Sequence, residues 1–522
     1  MKSTRKLDKV KLFEEAMRLH NEGKFDEADQ IYQSVLKTDA KNFAANYFHG
    51  CVLFEKSKFK DAIKYLKIAW DSNPNNYEVN NNLGIAYKNL SKHDSSEKHF
   101  LSAISIDENN FKAYFNCANL YSDMKKDDLA LKFLEKCIIL NDKFIDAHQR
   151  LGEIYQEKYL KDRNPDHLNK AKDGFNAAIG CDPLHPDAFL SLGWNSLWSG
   201  DITEANKFFN KFNSLNYSNE KKVSEYAEQH LNSVEKMRVL INHEYQQLTF
   251  IDSDVDGIRN PKFTREYYKE LKTLYLKIKD NNFDIDDMTP SIQKKIFKIL
   301  YNKPPKRLSS NLINERNDIK SLEAEYLGKT PEVVVIDNLL TQEALTELQK
   351  FCRNANVFKY PYTNGYVGSF LTKGLSSEFI LKLSEDLRLT YKNIFKDFKL
   401  VQSWIFKCIN TKKGVPVHAD SAAVNVNLWI APEHANKDKK SGGLKIWNKV
   451  PPSDWDFEDY NATHNEPRMK QFLLENEVAK QTIPYKENRV VIFNSKLFHV
   501  TDSIDFSDKY EDQRVNVTLL YE

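Results

Sequence analysis

A small residue recurs every 34 positions through the first part of the chain. Ala16, Gly50, Gly84, Ala118 and Gly152 stand at that interval, and twelve residues after the first four come Ala28, Ala62, Ser96 and Ala130. Such a period excludes a single closed core for this region, because each unit must bury its apolar face against its neighbour. Two antiparallel helices per unit account for the paired small residues, since helices approach closely only where neither side chain projects far. Leu53, Tyr87, Tyr121 and Tyr155, three residues beyond their markers, are then expected to fill the seam between the helices. Pro74 marks the end of a second helix, where a missing N–H does no harm.

The fifth unit departs from the period. Gly152 to Gly193 spans 41 residues, and the seven extra fall within residues 158–169 as a loop or a lengthened helix. Gly193 and Ala205 resume the spacing in a sixth unit. Over about 200 residues this pattern resembles the tetratricopeptide-repeat (TPR) family. The resemblance implies an α-α superhelical solenoid over residues 1–217, with a groove that recruits a protein or peptide. Arrays of that family also serve self-association, so the oligomeric state stays open. Residues 218–245, with Tyr226, Leu231, Val234, Met237 and Leu240 at helical spacing, read as a capping helix. An irregular helical linker, broken at Lys303-Pro304-Pro305-Lys306, completes the segment 218–330.

Bulk charge narrows the partners. With 76 Lys and Arg against 74 Asp and Glu, no global field draws the chain to nucleic acid or an anionic membrane. The N-terminal residues lack the apolar core of a secretory signal, and no apolar run approaches the roughly 18 to 20 residues that span a bilayer. A cytoplasmic protein is expected. Six cysteines, at 51, 117, 137, 181, 352 and 408, include no C-x-x-C pair, which argues against a disulfide framework or a thiolate zinc site.

At Val333-Val334-Val335-Ile336 the text changes to a β-branched run followed by a helix from Thr341-Gln342-Glu343 to about Asn354, opening a second domain over residues 331–522. After a further helix, about 376–395, strands are expected at Leu400–Ile409, Ala423–Ile430, Leu444–Trp447, Val490–Phe493 and Val515–Tyr521. Many short strands without alternating helices favour an antiparallel sandwich or barrel.

Within this domain, Val417-His418-Ala419-Asp420 carries an H-x-D whose imidazole and carboxylate share one side of a strand. A buried run, Val490 to Phe493, leads on to His499, and Arg514 begins the strand that follows. Two histidines and one carboxylate leave one face of an octahedral metal open, the arrangement suited to non-haem Fe(II). For an isolated histidine pair a structural role is the ordinary reading; the company of Asp420 and Arg514 shifts it toward a metal.

In this order of elements, together with the glycine-led strand Gly442-Gly443-Leu444-Lys445-Ile446-Trp447, the sequence resembles the 2-oxoglutarate/Fe(II) oxygenases of prolyl-hydroxylase type. The resemblance implies a double-stranded β-helix (jelly-roll) in which His418, Asp420 and His499 ligate the iron. It implies that Arg514 pairs with the distal carboxylate of 2-oxoglutarate, a bidentate match suited to a guanidinium, with Asn516 on the same face. The implied cofactors are Fe(II), 2-oxoglutarate as co-substrate, and ascorbate as an accessory reductant. The implied reaction is oxidative decarboxylation of 2-oxoglutarate coupled to hydroxylation of a prolyl, asparaginyl or lysyl target in the groove. A small or carrier-linked metabolite as substrate, and an inactive oxygenase fold serving as scaffold, are the alternatives. A zinc hydrolase would need a general base, as in H-E-x-x-H, and none stands beside these ligands.

Asn425 and Asn427 either line the pocket or satisfy backbone, and the sequence leaves both open. Residues 450–476, with Trp455, Phe457 and Tyr460, form a candidate lid. His434, His464 and Lys437–Lys440 read as solvated, and Arg489 as a surface or salt-bridge residue.

Overall fold

The computed structural model describes residues 2–217, 220–253, 265–299, 304–306, 308–409, 414–476 and 478–522, which leaves Lys303 of the expected breaker outside the described residues. The chain divides into two compact units, residues 1–185 and 186–522.

The first unit holds five helix pairs: α1 (Lys2–Asn21) with α2 (Phe25–Thr38), α3 (Phe43–Glu55) with α4 (Phe59–Ser72), α5 (Tyr77–Asn89) with α6 (His93–Ile106), α7 (Phe111–Asp123) with α8 (Asp127–Leu140), and α9 (Ile145–Asp162) with α10 (Pro165–Cys181). The marker glycines sit where the two helices of a pair touch. A Cβ on Gly50, Gly84 or Gly152 would lie 2.8, 2.5 or 2.5 Å from the side chain of Leu66, Phe100 or Phe175. Leu66 and Phe100 come sixteen residues after their glycines, so each second helix sends one bulky side chain into the gap. The seven extra residues lengthen α9 and α10 to 18 and 17 residues, against 13 and 14 in α7 and α8, and form no loop.

The second unit opens with the sixth pair, α11 (Pro186–Trp198) and α12 (Ile202–Tyr217). Residues 218–245 were expected to make one capping helix. Among the described residues they fall instead into α13 (Glu220–Leu231) and α14 (Val234–Ser253), broken at Asn232-Ser233, with 218 and 219 outside the described residues. α15 (Arg265–Lys279) and α16 (Pro290–Lys295) pack with them around Met237, Leu240, Ile241 and Leu271. Glu244 of α14 is fully buried. It accepts from the Lys359 Nζ at 2.8 Å, the Asn356 amide at 3.0 Å and the Tyr267 hydroxyl at 3.2 Å, a charge cluster closed on itself.

The rest is β-rich. After α17 (Ile319–Gly328) come β1 (Val333–Ile336), α18 (Gln342–Asn354), β2 (Tyr360–Tyr362), β3 (Tyr366–Phe370), α19 (Glu378–Thr390), α20 (Lys392–Phe395), β4 (Leu400–Cys408), β5 (Val424–Trp429) and β6 (Leu444–Trp447). Then follow α21 (Phe457–Asn461), α22 (Glu466–Glu475), β7 (Lys480–Ile483), β8 (Arg489–Asn494), β9 (His499–Thr501) and β10 (Val515–Tyr521). Seven strands form one antiparallel sheet in the order β1-β8-β5-β10-β4-β3-β2, and three form a second, β7-β6-β9. The helix expected over 376–395 is two, parted at Tyr391.

Strand alternation sorts the large sheet's faces. Val424, Val426 and Leu428 of β5, Val490 and Ile492 of β8, and Val515, Val517 and Leu519 of β10 bury against α18 and α19. Leu197, Ala205 and Phe209 of the sixth helix pair join that core, and the Trp198 indole donates to Leu400 O at 2.8 Å. The opposite face carries Trp429, Val491 and Phe493, which meet Leu444, Ile446 and Ile483 of the small sheet. By the same alternation Asn425, Asn427, Arg514, Asn516 and Thr518 point to this second face, polar residues set in an otherwise apolar layer. No helix among the described residues is long and apolar enough to cross a membrane, and all six cysteines are free.

Candidate metal centre

His418 and His499 are held by each other's backbone. The N–H of His418 donates to His499 O at 3.0 Å and that of His499 to His418 O at 2.8 Å. The expected strand for H-x-D is reduced to this single bridge, while His499 opens β9. Two residues on, the Asp420 N–H donates to Ser495 O at 3.1 Å, which places the carboxylate beside the end of β8. The two rings lie 4.2 Å apart.

The direction of each imidazole follows from its second nitrogen. His418 Nδ1 lies 2.8 Å from Pro416 O and His499 Nδ1 lies 2.9 Å from Leu497 O. A carbonyl only accepts, so each Nδ1 carries the proton and each Nε2 keeps its lone pair. Those lone pairs face one carboxylate, with His418 Nε2 3.9 Å from Asp420 Oδ1 and His499 Nε2 3.6 Å from Oδ2. Ligand atoms of the three residues all lie within 4.8 Å of one another, and among the described residues no other group of His, Cys, Asp and Glu converges in this way. Burial pushes the Asp420 carboxyl up, against the opposing pull of His418 and the Asn461 and Asn425 amides. Burial, with the neighbouring His418 ring as a lesser cause, holds His499 well below the ordinary histidine range. Such a dry pocket resists added charge of either sign until a compensating ion is present. Backbone-anchored Nδ1 atoms and a convergent donor set are what a 2-His-1-carboxylate metal site requires.

Arg514 is 3% exposed. Its Nε donates to Gly442 O at 2.7 Å and its guanidinium lies 5.9 Å from the Trp429 ring. No carboxylate among the described residues forms an ion pair with it, so a buried cation stands without a protein counter-ion, an arrangement that is costly unless a ligand supplies the anion. Glycine is required beside it, because a Cβ on Gly443 would lie 2.0 Å from Ile483 O.

Asn516 donates its amide to Asn427 Oδ1 and Thr518 Oγ1, both at 2.9 Å. Asn427 donates to Asn425 Oδ1 at 2.6 Å, and Asn425 to Asp420 Oδ2 at 2.8 Å. The two asparagines left open by the sequence are therefore side-chain partners of the site, and their alternation on β5 was the signal for it.

Sequence reasoning missed Asn461. It donates to Ala419 O at 2.8 Å and approaches Asp420 Oδ1 at 3.4 Å, from a helix within the segment 450–476. That segment is stapled to the H-x-D backbone: Ala419 N–H donates to Tyr460 O at 3.0 Å and Val417 N–H to the Glu466 carboxylate at 3.3 Å. Met469 and Leu473 pack on Val417, Ala419 and Phe498, so the expected lid is a docked wall. Elsewhere Arg489 forms an ion pair with Asp337 at 2.6 Å, and His434 is an exposed partner of Asp512.

A cleft of about 240 Å³ opens beside His418 and Asp420. Its floor is the outer ends of β2, β3 and β4, with Tyr362, Tyr366, Phe370, Trp404 and Phe406, and Phe457 and Asn461 stand opposite. Among the described residues that line it, His418 and Asp420 are the only acidic or basic side chains.

The family model for the tetratricopeptide repeat matches residues 77–110 and 111–144, so the N-terminal region carries TPR repeats. Among solved structures, YrrB, described as a TPR protein with an unusual peptide-binding site, aligns at 16% identity over 35% of this chain and 91% of its own, with a TM-score of 0.29. PilF of Pseudomonas aeruginosa aligns at 15% identity over 41% and 93%, TM-score 0.36, and MamA at 23% over 32% and 93%, TM-score 0.29. No curated protein matches the chain. TPR proteins commonly present surfaces for peptides or other proteins.

Proposed function

We propose that this chain is an Fe(II)- and 2-oxoglutarate-dependent dioxygenase, with a double-stranded β-helix as its catalytic domain, that hydroxylates a protein or peptide recruited by the TPR region. The observation that carries the reading is the convergence of the two Nε2 lone pairs and the Asp420 carboxylate. His418, Asp420 and His499 hold the metal, which with 2-oxoglutarate and dioxygen supplies the oxidation of an unactivated C–H bond, releasing succinate and carbon dioxide. Arg514, buried without an acid partner, takes the distal carboxylate of 2-oxoglutarate through its guanidinium fork. Asn516 has both amide contacts inside the protein, so Arg514 carries that recognition without it.

The aromatic floor excludes water and accepts an apolar group by ring contact. A lysyl target would want an acid in the cleft other than Asp420, which is committed to the metal. The uncharged lining therefore favours a neutral, carbon-rich side chain on the substrate.

Anaerobic loading tests the metal assignment: one Fe(II) per chain is expected in the wild type, with loss in His418→Ala and His499→Ala. Equal iron in the variants would contradict it. Recruitment is tested by deleting residues 1–185, the first compact unit, which is expected to raise KM for the physiological substrate while leaving uncoupled 2-oxoglutarate turnover; unchanged KM would sink the groove. Should the wild type hold no iron, the TPR match leaves an interaction scaffold as the reading.

A further inference from the structure

The row of amides behind Asp420 has a direction. An ionised carboxylate only accepts, so Asn425 must turn its Nδ2 toward Asp420 and its Oδ1 away. Asn427 then has to donate to Asn425, and Asn516 to Asn427, as the contacts at 2.8, 2.6 and 2.9 Å run. The row ends on Asn516 Oδ1, which is buried and has no partner among the described residues. Reversing the three amides would give that atom's place to a donor, but only by setting the Asn425 oxygen against the Asp420 carboxylate. The row thus leaves one buried acceptor unsatisfied at its far end and keeps one amide donor of each asparagine pointed toward the metal-facing carboxylate, a cost accepted at one place for order at another. Asn425, Asn427 and Asn516 are each 8% exposed or less, so water does not stand in for these contacts.

The two oxygens of Asp420 are held unequally. Oδ2 has the Asn425 amide at 2.8 Å, whereas Oδ1 has only the longer Asn461 contact at 3.4 Å. We propose that Asn425, locked by Asn427 and Asn516, is a positioning residue that occupies Asp420 Oδ2 and leaves Oδ1 as the metal-binding oxygen. Asn461 steadies the same ligand from the opposite side by gripping Ala419 O. This inference rests on the iron reading and adds to it a directional support that runs along β5 and onto the neighbouring strand β10.

Cobalt(II) titration followed by absorbance, with thermal melting of the metal-free protein beside it, tests the proposal without any turnover. Asn425→Ala is expected to weaken Co(II) binding about 10- to 100-fold, in the range for lost supports behind a metal ligand. Asn427→Leu, which touches no ligand, is expected to weaken it several-fold. Because both act through one contact, the double variant is expected to bind no more weakly than Asn425→Ala alone. A purely structural role would lower the melting temperature and leave Co(II) affinity intact, and would overturn the proposal; so would losses that multiply in the double variant. If Asn425→Ala does not fold, Asn427→Leu carries the same decision, with wild-type affinity counting against the row. A wild type that takes up no Co(II) removes the iron reading and this inference with it, whereas normal uptake by wild type and Asn425→Ala alike removes the inference only.

Discussion

Buried histidines and acids occur both in the repeats and beside β9, and they are satisfied in opposite ways. In the repeats Asp29 is taken up by His49 Nδ1 and by the Gln33 amide, and Asn80 donates to Pro74 O and Asn76 O while accepting from the Trp70 indole. In these two clusters each named donor finds an acceptor a short way along the same helical stack. In the β-rich region the backbone takes up one nitrogen of each imidazole and then stops, leaving two Nε2 atoms and a carboxylate aimed together and Arg514 without an acid. Residue types alone do not separate fold from function here. What separates these clusters is whether several unused lone pairs converge on one point, as only the two Nε2 atoms and the Asp420 carboxylate do among the described residues.

If that distinction holds, the closed and open clusters respond oppositely to mutation. The largest effect falls on a closed one: Glu244→Ala strands the buried Lys359 ammonium and is expected to cost about 3–5 kcal/mol in a denaturant titration, while metal affinity of the folded fraction stays unchanged. Asp420→Ala reverses the pattern. Metal-free stability is expected to hold or rise, because a desolvated carboxylate is removed, whereas the wild type's gain of about 2.7 kcal/mol at metal concentrations 100-fold above Kd disappears. A large loss of metal-free stability in Asp420→Ala would erase the contrast.

Smaller effects sharpen the repeat side. Gly84→Val drives a side chain into Phe100 and is expected to cost about 1–3 kcal/mol by overpacking, while Gly180→Ala, whose Cβ meets nothing within 4 Å, is expected to be neutral or stabilising. Equal costs at the two glycines would contradict the close-approach reading. The smallest is a pH effect. Burial holds the His99 pKa near 4, below the ordinary 6.5. The neutral ring therefore contributes stability that is fully present above pH 6.5 and is lost as pH falls toward 4. Protection factors of amides in α5 and α6, corrected for the intrinsic pH dependence of exchange, are expected to fall over that interval, and His99→Phe to flatten the change.

Legibility follows the same physics. The helix pairs are written in the sequence because close approach restricts a position to Gly or Ala, so a spacing survives any change of surface. β1, β6 and β10 are legible as apolar runs with clear ends. β2 and β3 are not: Pro361 and Gly368 interrupt them, although Gly368 is needed because a Cβ would lie 2.8 Å from the Phe406 ring. α22 was hidden by Pro467 at its start and by the polar text around it. At the site, His418, Asp420, His499 and Arg514 were legible from order and spacing, since each stands at the edge of a readable strand or turn. Asn461 was not, because only the docking of α21 brings it to Asp420.

The most direct test of the oxygenase reading is conversion of 2-oxoglutarate to succinate under air with added Fe(II) and ascorbate, compared among wild type, His418→Ala and Arg514→Ala. The reading predicts slow turnover by the wild type even without its substrate, none by His418→Ala, and a raised KM for 2-oxoglutarate in Arg514→Ala. Turnover that survives His418→Ala, or a wild type that binds zinc tightly and leaves 2-oxoglutarate untouched, would contradict it.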